Sequence, residues 1–422
     1  MKLKLIFSKS APLLIGNIIV ALGTLISVPL LLEYYGVSNY GYFASFIVLI
    51  NLINTIINLQ PWQSMIQYWY STDSDDIRSC LSKLCIVIDF FSAFIAALFF
   101  LVFYGYMLDF LNINVFFSFK VIGAAFLYIL TYQTSFPISV FKIQSRYILQ
   151  AFLDCLESLS KFALAIYVYC SGKTVSLQDF VSLYFCFGVF CNLLRFTLAV
   201  YYSKESLRYS LSIHDIKESM PFVKYSFWVY IKSILDLPLT HLDRLIVIKF
   251  LGPSSAATLD VLKKVLGLIS FSIRPLSEVL LPEMTSYVKS GNSKLALKFS
   301  IKNSVLLLIS CFSVITIGFL IFGYTNILSY LGLELIMKDI KMSYFYIIIG
   351  SISMSFVFVH ILFMAEGLVS KDAVNLLIAN VVYLSILLLA INVLELGSIV
   401  LAMLIQSIFV ITYKLLMLKR RC

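Results

Sequence analysis

Residues 28–41 read VPLLLEYYGVSNYG, and residues 244–259 read RLIVIKFLGPSSAATL. Each stretch leaves an apolar span through an aromatic or charged tail, turns at a glycine, and enters a second apolar run. Placing Gly36 on Gly252 gives an offset of 216 residues, which also lays residues 70–82 beside residues 286–298. The loops FKIQSRY (141–147) and MAEGLVSK (364–371) match more loosely. The chain therefore reads as two copies of one unit, residues 1–210 and 211–422. A unit with an even number of spans repeats in the same orientation. The two bundles are then expected to be related by a pseudo-twofold axis along the membrane normal, with a cleft between them that rocking exposes to alternate sides.

Composition settles the solvent. Of 422 residues, 61% are hydrophobic and only 13% charged, about half the charged fraction of a water-soluble chain. Too little polar surface is left to face water, so lipid surrounds the chain. The net charge of +10 does not indicate nucleic acid, because the basic residues lie in short loops between apolar spans, where they write membrane topology. The eight cysteines include no Cys-x-x-Cys pair and read as small hydrophobes. The N-terminus carries Lys2, Lys4 and Lys9 before an apolar run, as a signal peptide does. The run is long enough to span and lacks a small-x-small cleavage site, so it is expected to be the first retained helix.

The fold class expected is an all-α membrane protein with about twelve transmembrane helices. They fall at roughly 11–32, 41–60, 84–108, 118–139, 151–170, 179–202, 225–250, 254–281, 303–323, 344–365, 373–391 and 397–417. With the N-terminus inside, 20 of the 32 basic residues are cytoplasmic and five lie on the opposite face. That asymmetry predicts a multi-pass protein of a bacterial inner membrane with both termini cytoplasmic. No loop is long enough for a soluble catalytic domain, and no paired carboxylates, metal-ligand set or nucleophile arrangement emerges. The expectation is a transporter, without a cofactor and not an enzyme.

The remaining seven basic residues lie within spans: Lys161, Arg195, Lys232, Arg244, Lys263, Lys264 and Arg274. Such charges are costly in lipid and face a wet cavity or one another. Glu157–Lys161, Lys232–Asp236, Asp260–Lys264 and Arg274–Glu278 are each spaced to pair along one helix. Asp260, Lys263, Gly267, Ser270 and Arg274 form one polar stripe on the eighth span. Arg195 and Arg244 have no partner four residues away. The seven cations are candidates to line a cavity for an anionic cargo, since Arg forks onto phosphate oxygens. Asp89, Asp236, Asp260 and His360 are candidates for proton or sodium coupling. Pro29, Pro137, Pro238 and Pro275 lie in or near the ends of spans, where they permit bends.

Three stretches carry a family resemblance: YYGVSNYGYF (34–43), LDRLIVIKFLGP (242–253) and LPEMTSYVKSGN (281–292). On these the chain resembles polysaccharide-biosynthesis flippases of the O-antigen (Wzx) type, within the multidrug/oligosaccharidyl-lipid/polysaccharide exporter (MOP) superfamily. The likeness extends over nearly the whole length. Ala257 and Leu259 stand where members often show Gly and Tyr. The resemblance implies a MATE-like fold and, as cargo, an undecaprenyl-pyrophosphate-linked oligosaccharide repeat unit. It also implies alternating access, with a polysaccharide polymerase and a chain-length regulator as membrane partners. The competing expectations are an ion-coupled multidrug antiporter on the same fold and a polytopic glycan polymerase.

Overall fold

The computed structural model describes residues 3–59, 61–69, 72, 74–113, 118–132, 134–172, 174–204, 207–208, 219–235, 237–289, 292–324 and 339–421. Side chains are described for these except 3–14, 67, 228, 232, 271–279, 281–283, 285–287, 289, 322–324, 369 and 370. Among the described residues every regular element is helical. In the first half these are α1 (Leu3–Tyr35), α2 (Val37–Ile57), α3 (Trp62–Trp69), α4 (Asp75–Phe110), α5 (Phe119–Leu130), α6 (Ser135–Ile143), α7 (Tyr147–Cys170) and α8 (Leu177–Tyr202). The second half holds α9 (Met220–Leu235), a π-helical turn (Pro238–Leu242), α10 (Asp243–Lys289) and α11 (Ser293–Tyr324). It ends with α12 (Ile340–Ser355), α13 (Val357–Ala365), α14 (Val369–Leu394) and α15 (Gly397–Arg421).

Helices are the only open-chain elements that satisfy every backbone group inside lipid. Nine helical stretches among the described residues are long and apolar enough to cross a membrane, or ten if α5 and α6 form one bent span. The other expected spans lie on helices that are charged or interrupted. The helix α7 carries Asp154, Glu157 and Lys161, while α9 stops before the π turn. The outward faces are greasy: Phe90, Phe91, Phe94, Leu98 and Val102 on α4, and Leu306, Ile309, Val314 and Ile317 on α11, are all exposed. Only lipid makes that arrangement stable. Inward, α4 turns a column of small residues, Ser82, Cys85, Ser92, Ala93 and Ala96, which lets neighbouring backbones approach closely. The chain is a multi-pass membrane protein.

The breaks between helices recur in order. Gly36 ends α1 with φ +80°, and Gly252 interrupts α10 with φ +83°. Ser145 (φ +56°) and Gly367 (φ +72°) separate α6 from α7 and α13 from α14. Gly172 (φ +64°) and Glu395 (φ +48°) follow α7 and α14. Glycine takes positive φ at no steric cost, which suits it to end a helix in this way. The fourth spans of the two halves are both divided, α5/α6 with a bend of 41° and α12/α13 at Phe356. Pro137 lies in the first turn of α6 and Pro238 opens the π turn, where a missing N–H costs little. Pro29 and Pro275 lie inside continuous helix instead.

By packing, the chain forms two units. One comprises residues 1–10, 21–44 and 238–422, and the other residues 11–20 and 45–237. In the second, Met65, Leu81, Cys85, Phe136, Phe141 and Phe222 form a buried cluster at one end. In the first, Leu280, Met284, Leu362, Phe363 and Leu418 do the same. Also within the first unit, the start of α2 meets the Gly252 break of α10 at backbone distance. A Cβ on Gly41 would lie 1.9 Å from the carbonyl oxygen of Pro253. Gly41→Ala is therefore expected to cost about 1–3 kcal/mol, as overpacking does, read as a lower thermal unfolding temperature in detergent. Gly105→Ala, whose Cβ meets nothing within 4 Å, serves as the control. Equal stability of the two variants would contradict the close approach.

Candidate functional site

The break at Gly252 splits the helix so that its two arms bring charges together that a straight helix would keep apart. From the first arm come Asp243 and Arg244, and from the second Asp260, Lys263 and Lys264. Arg244 Nη1 donates to Asp260 Oδ1 at 2.9 Å, and Lys264 Nζ lies 2.9 Å from Asp260 Oδ2. Tyr40 Oη donates to the same Oδ2 at 2.7 Å and accepts from Lys264 Nζ at 2.6 Å. Lys263 Nζ sits 2.5 Å from Asp243 Oδ2 and also donates to the Leu239 carbonyl at 2.7 Å. The π turn presents that carbonyl. Asp243 and Asp260 are 1% and 4% exposed, so these pairs work in a weak dielectric where attraction is strong and separation costly.

The cluster holds three cations against two carboxylates. Arg244 Nε is buried with no hydrogen-bond partner among the described residues. Asp243, Arg244 and Lys263 border a cavity of about 380 Å³, together with Gly267, Ser270, Gln406 and Ser407. The sequence stripe thus faces this space at Lys263, Gly267 and Ser270, while Asp260 and Lys264 turn toward Tyr40. The arrangement can take an anionic oxygen from the cavity side, where Arg244 and Lys263 stand against the single carboxylate of Asp243.

The other unit has its own network. Glu157 bridges Lys161 and Arg195, at 2.6 Å to each, and Arg195 Nη2 also meets Asp154 Oδ1 at 2.9 Å. The Lys161 ammonium lies over the Tyr184 ring, 4.4 Å from its centre. Two cations balance two carboxylates. This network borders a cavity of about 270 Å³ lined by Tyr128, Tyr132, Gln150, Asp154, Glu157 and Arg195.

The remaining candidates lie apart. Asp89, 1% exposed, accepts from the Phe136 backbone N–H at 2.9 Å. His360 binds the Ser353 carbonyl through Nε2 (3.2 Å) and faces Lys414 Nζ through Nδ1 (3.1 Å), with Lys414 2.7 Å from Asp372. Asp236 lies outside the described residues, and so do the side chains of Lys232 and Arg274.

Of the pairs expected along one helix, Glu157–Lys161 and Asp260–Lys264 form. Arg195 and Arg244, which lack a partner on their own helical turn, pair across helices or across the Gly252 break. Each described cation of the seven is matched to a carboxylate, because an unpaired ammonium or guanidinium costs too much in lipid. Sequence reasoning missed Tyr40, since nothing local marks a tyrosine 220 residues from its carboxylate. Asp154 was within reach, because it lies three residues before Glu157 and shares its helical face.

The balance at Glu157 gives a test. Glu157→Gln leaves Lys161 and Arg195 with only Asp154, and is expected to destabilise the protein by about 3–5 kcal/mol. Asp154→Asn, at the wetter edge, is expected to cost far less. Thermal unfolding in detergent reads both, and the reverse order would refute the network.

No protein-family model matches the chain, and no curated protein matches it in sequence. Solved structures do match over nearly the whole length. One is an inward-facing multidrug-resistance MATE family transporter of the MOP superfamily (11% identity, 98% of this chain and 94% of that chain, TM-score 0.59). Another is the MATE multidrug transporter DinF-BH in complex with rhodamine 6G (13% identity, 100% and 96%, TM-score 0.60). A third is the lipid II flippase MurJ in an inward closed conformation (14% identity, 98% and 87%, TM-score 0.60). At these identities the likeness establishes the fold, which is that of MATE transporters and of MurJ.

Proposed function

We propose that the chain is a transporter that flips a pyrophosphate-linked, lipid-anchored oligosaccharide from the cytoplasmic to the outer leaflet by alternating access. The observation that carries the reading is the excess cation of the Asp243–Arg244–Asp260–Lys263–Lys264 cluster, whose Arg244 and Lys263 line a cavity. With two cations against one carboxylate, that wall disfavours a cationic drug and favours a phosphate oxygen. The resemblance at residues 34–43, 242–253 and 281–292 supports the same cargo class, as does a fold shared with a lipid II flippase. The cargo so read is an undecaprenyl-pyrophosphate repeat unit of a surface polysaccharide such as O-antigen, handed on to a membrane polymerase and its chain-length regulator. The protein would sit in a bacterial inner membrane with both termini cytoplasmic.

A multidrug antiporter is the second reading. It is favoured by the fold shared with DinF-BH, solved in complex with rhodamine 6G.

The test uses the full chain in proteoliposomes with two cargoes, a polyprenyl-pyrophosphate oligosaccharide and rhodamine 6G. The oligosaccharide lipid is expected to move and the dye is not. Arg244→Gln is expected to slow lipid movement about tenfold or more, since a hydrogen bond to a charged group contributes about 1.5–3 kcal/mol. Lys264→Gln, which leaves Asp260 held by Arg244 and Tyr40, is expected to slow it less. Dye movement without lipid movement would exchange the two readings.

A further inference from the structure

The fourth span of the first half is bent because one helical hydrogen bond is divided between two buried side chains. In a continuous helix the N–H of Phe136 would bind the carbonyl of Tyr132, four residues earlier. Here the Phe136 N–H donates to Asp89 Oδ2 on α4 at 2.9 Å, and the Tyr132 carbonyl accepts from Asn58 Nδ2 at the end of α2 at 3.2 Å. Asn58 and the Asp89 turn are themselves joined. Ser92 Oγ donates to Asn58 Oδ1 at 3.2 Å and to the Ile88 carbonyl at 2.7 Å. Asp89, Asn58 and Ser92 therefore hold open the gap that separates α5 from α6.

The Asp89 carboxyl is unusual among the buried acids of the chain. Its neighbours are all neutral donors: besides the Phe136 N–H, the Ser135 backbone N–H and hydroxyl face the carboxyl, and Oδ1 is buried without a full hydrogen bond of its own among the described residues. Asp243, Asp260 and Glu157 all have cations within 3 Å, whereas no ion pair to Asp89 exists among the described residues. On its own helix Cys85 faces it one turn earlier, and Lys83 lies on another side of α4. On α2 the group joined to this turn is the neutral Asn58. Elsewhere the titratable groups are engaged with other partners. Tyr68 of α3 packs on Tyr225, Tyr128 of α5 on Phe185, and Tyr132 on Tyr128. Lys142 of α6 lies over the Trp62 ring, and Arg195 of α8 is tied to Glu157 and Asp154. A carboxylate buried among neutral donors with no countercharge is stabilised by taking a proton. A metal cation would need several further oxygen ligands.

We propose that Asp89 is a proton-binding site that operates the bend of this span. Ionised, its carboxylate grips the Phe136 N–H with a charge-assisted bond and keeps the helix broken. Protonated, it is a weaker acceptor, and Phe136 N–H can return to the Tyr132 carbonyl as the span straightens. No bond other than that to the proton is made or broken covalently. The link of this proton to cargo movement rests on the transport reading, but the site and the bend do not.

Infrared difference spectroscopy of the full chain in lipid, stepped in pH, tests the site. A protonated-carboxyl carbonyl band is expected that shifts in D2O, fades as pH rises, and is absent from Asp89→Asn, whose amide oxygen can still accept from Phe136. A carboxyl that never changes state across the range of stable pH would overturn the proposal. Replacement of the pH response by a response to sodium would overturn it in favour of a metal-cation site. Spin-label distances between positions 127 and 142, in a background freed of native cysteines, test the bend. The distance is expected to lengthen at low pH in the parent and to be independent of pH in Asp89→Asn. A pH-independent distance in both would overturn the hinge. Loss of all cargo movement in proteoliposomes with the infrared band intact would overturn the transport reading and leave the proton site standing.

Discussion

Asp260 is the pivot of the charged interior. Its two oxygens are taken by Arg244, Lys264 and the Tyr40 hydroxyl, all within 3 Å. Each of these comes from a different stretch of chain: the first arm of α10, the second arm, and the start of α2. Removing a carboxylate from water costs several kcal/mol, and that cost is recovered only if all three partners arrive together. The ion cluster therefore dictates local geometry as much as it depends on it. The left-handed Gly252 and the missing side chain of Gly41 are the backbone concessions that let α2 and the two arms of α10 come close enough.

The balance of charge, rather than the count of cations, decides what a buried cluster can bind. Lipid does not tolerate unpaired ions, so the number of basic residues in spans says little about a cargo. What matters is what remains after pairing. Around Glu157 nothing remains, and that network reads as a lock between α7 and α8. Around Asp260 and Asp243 one positive charge remains, and Arg244 and Lys263 border a cavity. The two units thus hold one balanced cluster and one with a net positive charge.

Much of the fold was legible because two signals are strong and local. Apolar runs of twenty residues specify spanning helices, and glycines at 36 and 252 mark matched breaks that the structure confirms with nearly equal φ. The charged stripe of α10 was also legible from its periodicity. What stayed hidden depends on contacts far apart in sequence. Tyr40 gives no sign of serving Asp260, and Arg195 gives no sign of serving Glu157 and Asp154, because the pairing is decided by helix packing. The short helix α3 was hidden for a different reason: eight residues between two spans are too few to show a period.

The bends follow the same logic as the ions. A span can be broken inside a membrane only where side chains take over the freed backbone groups. At Gly252 the backbone turns by conformation alone, which no change of protonation undoes. At the α5/α6 break the freed donor and acceptor are held by Asp89 and Asn58, and one of those can gain or lose a charge. A proton there changes the strength of a single buried hydrogen bond, and that bond decides whether Phe136 belongs to the helix before it or to the carboxylate beside it.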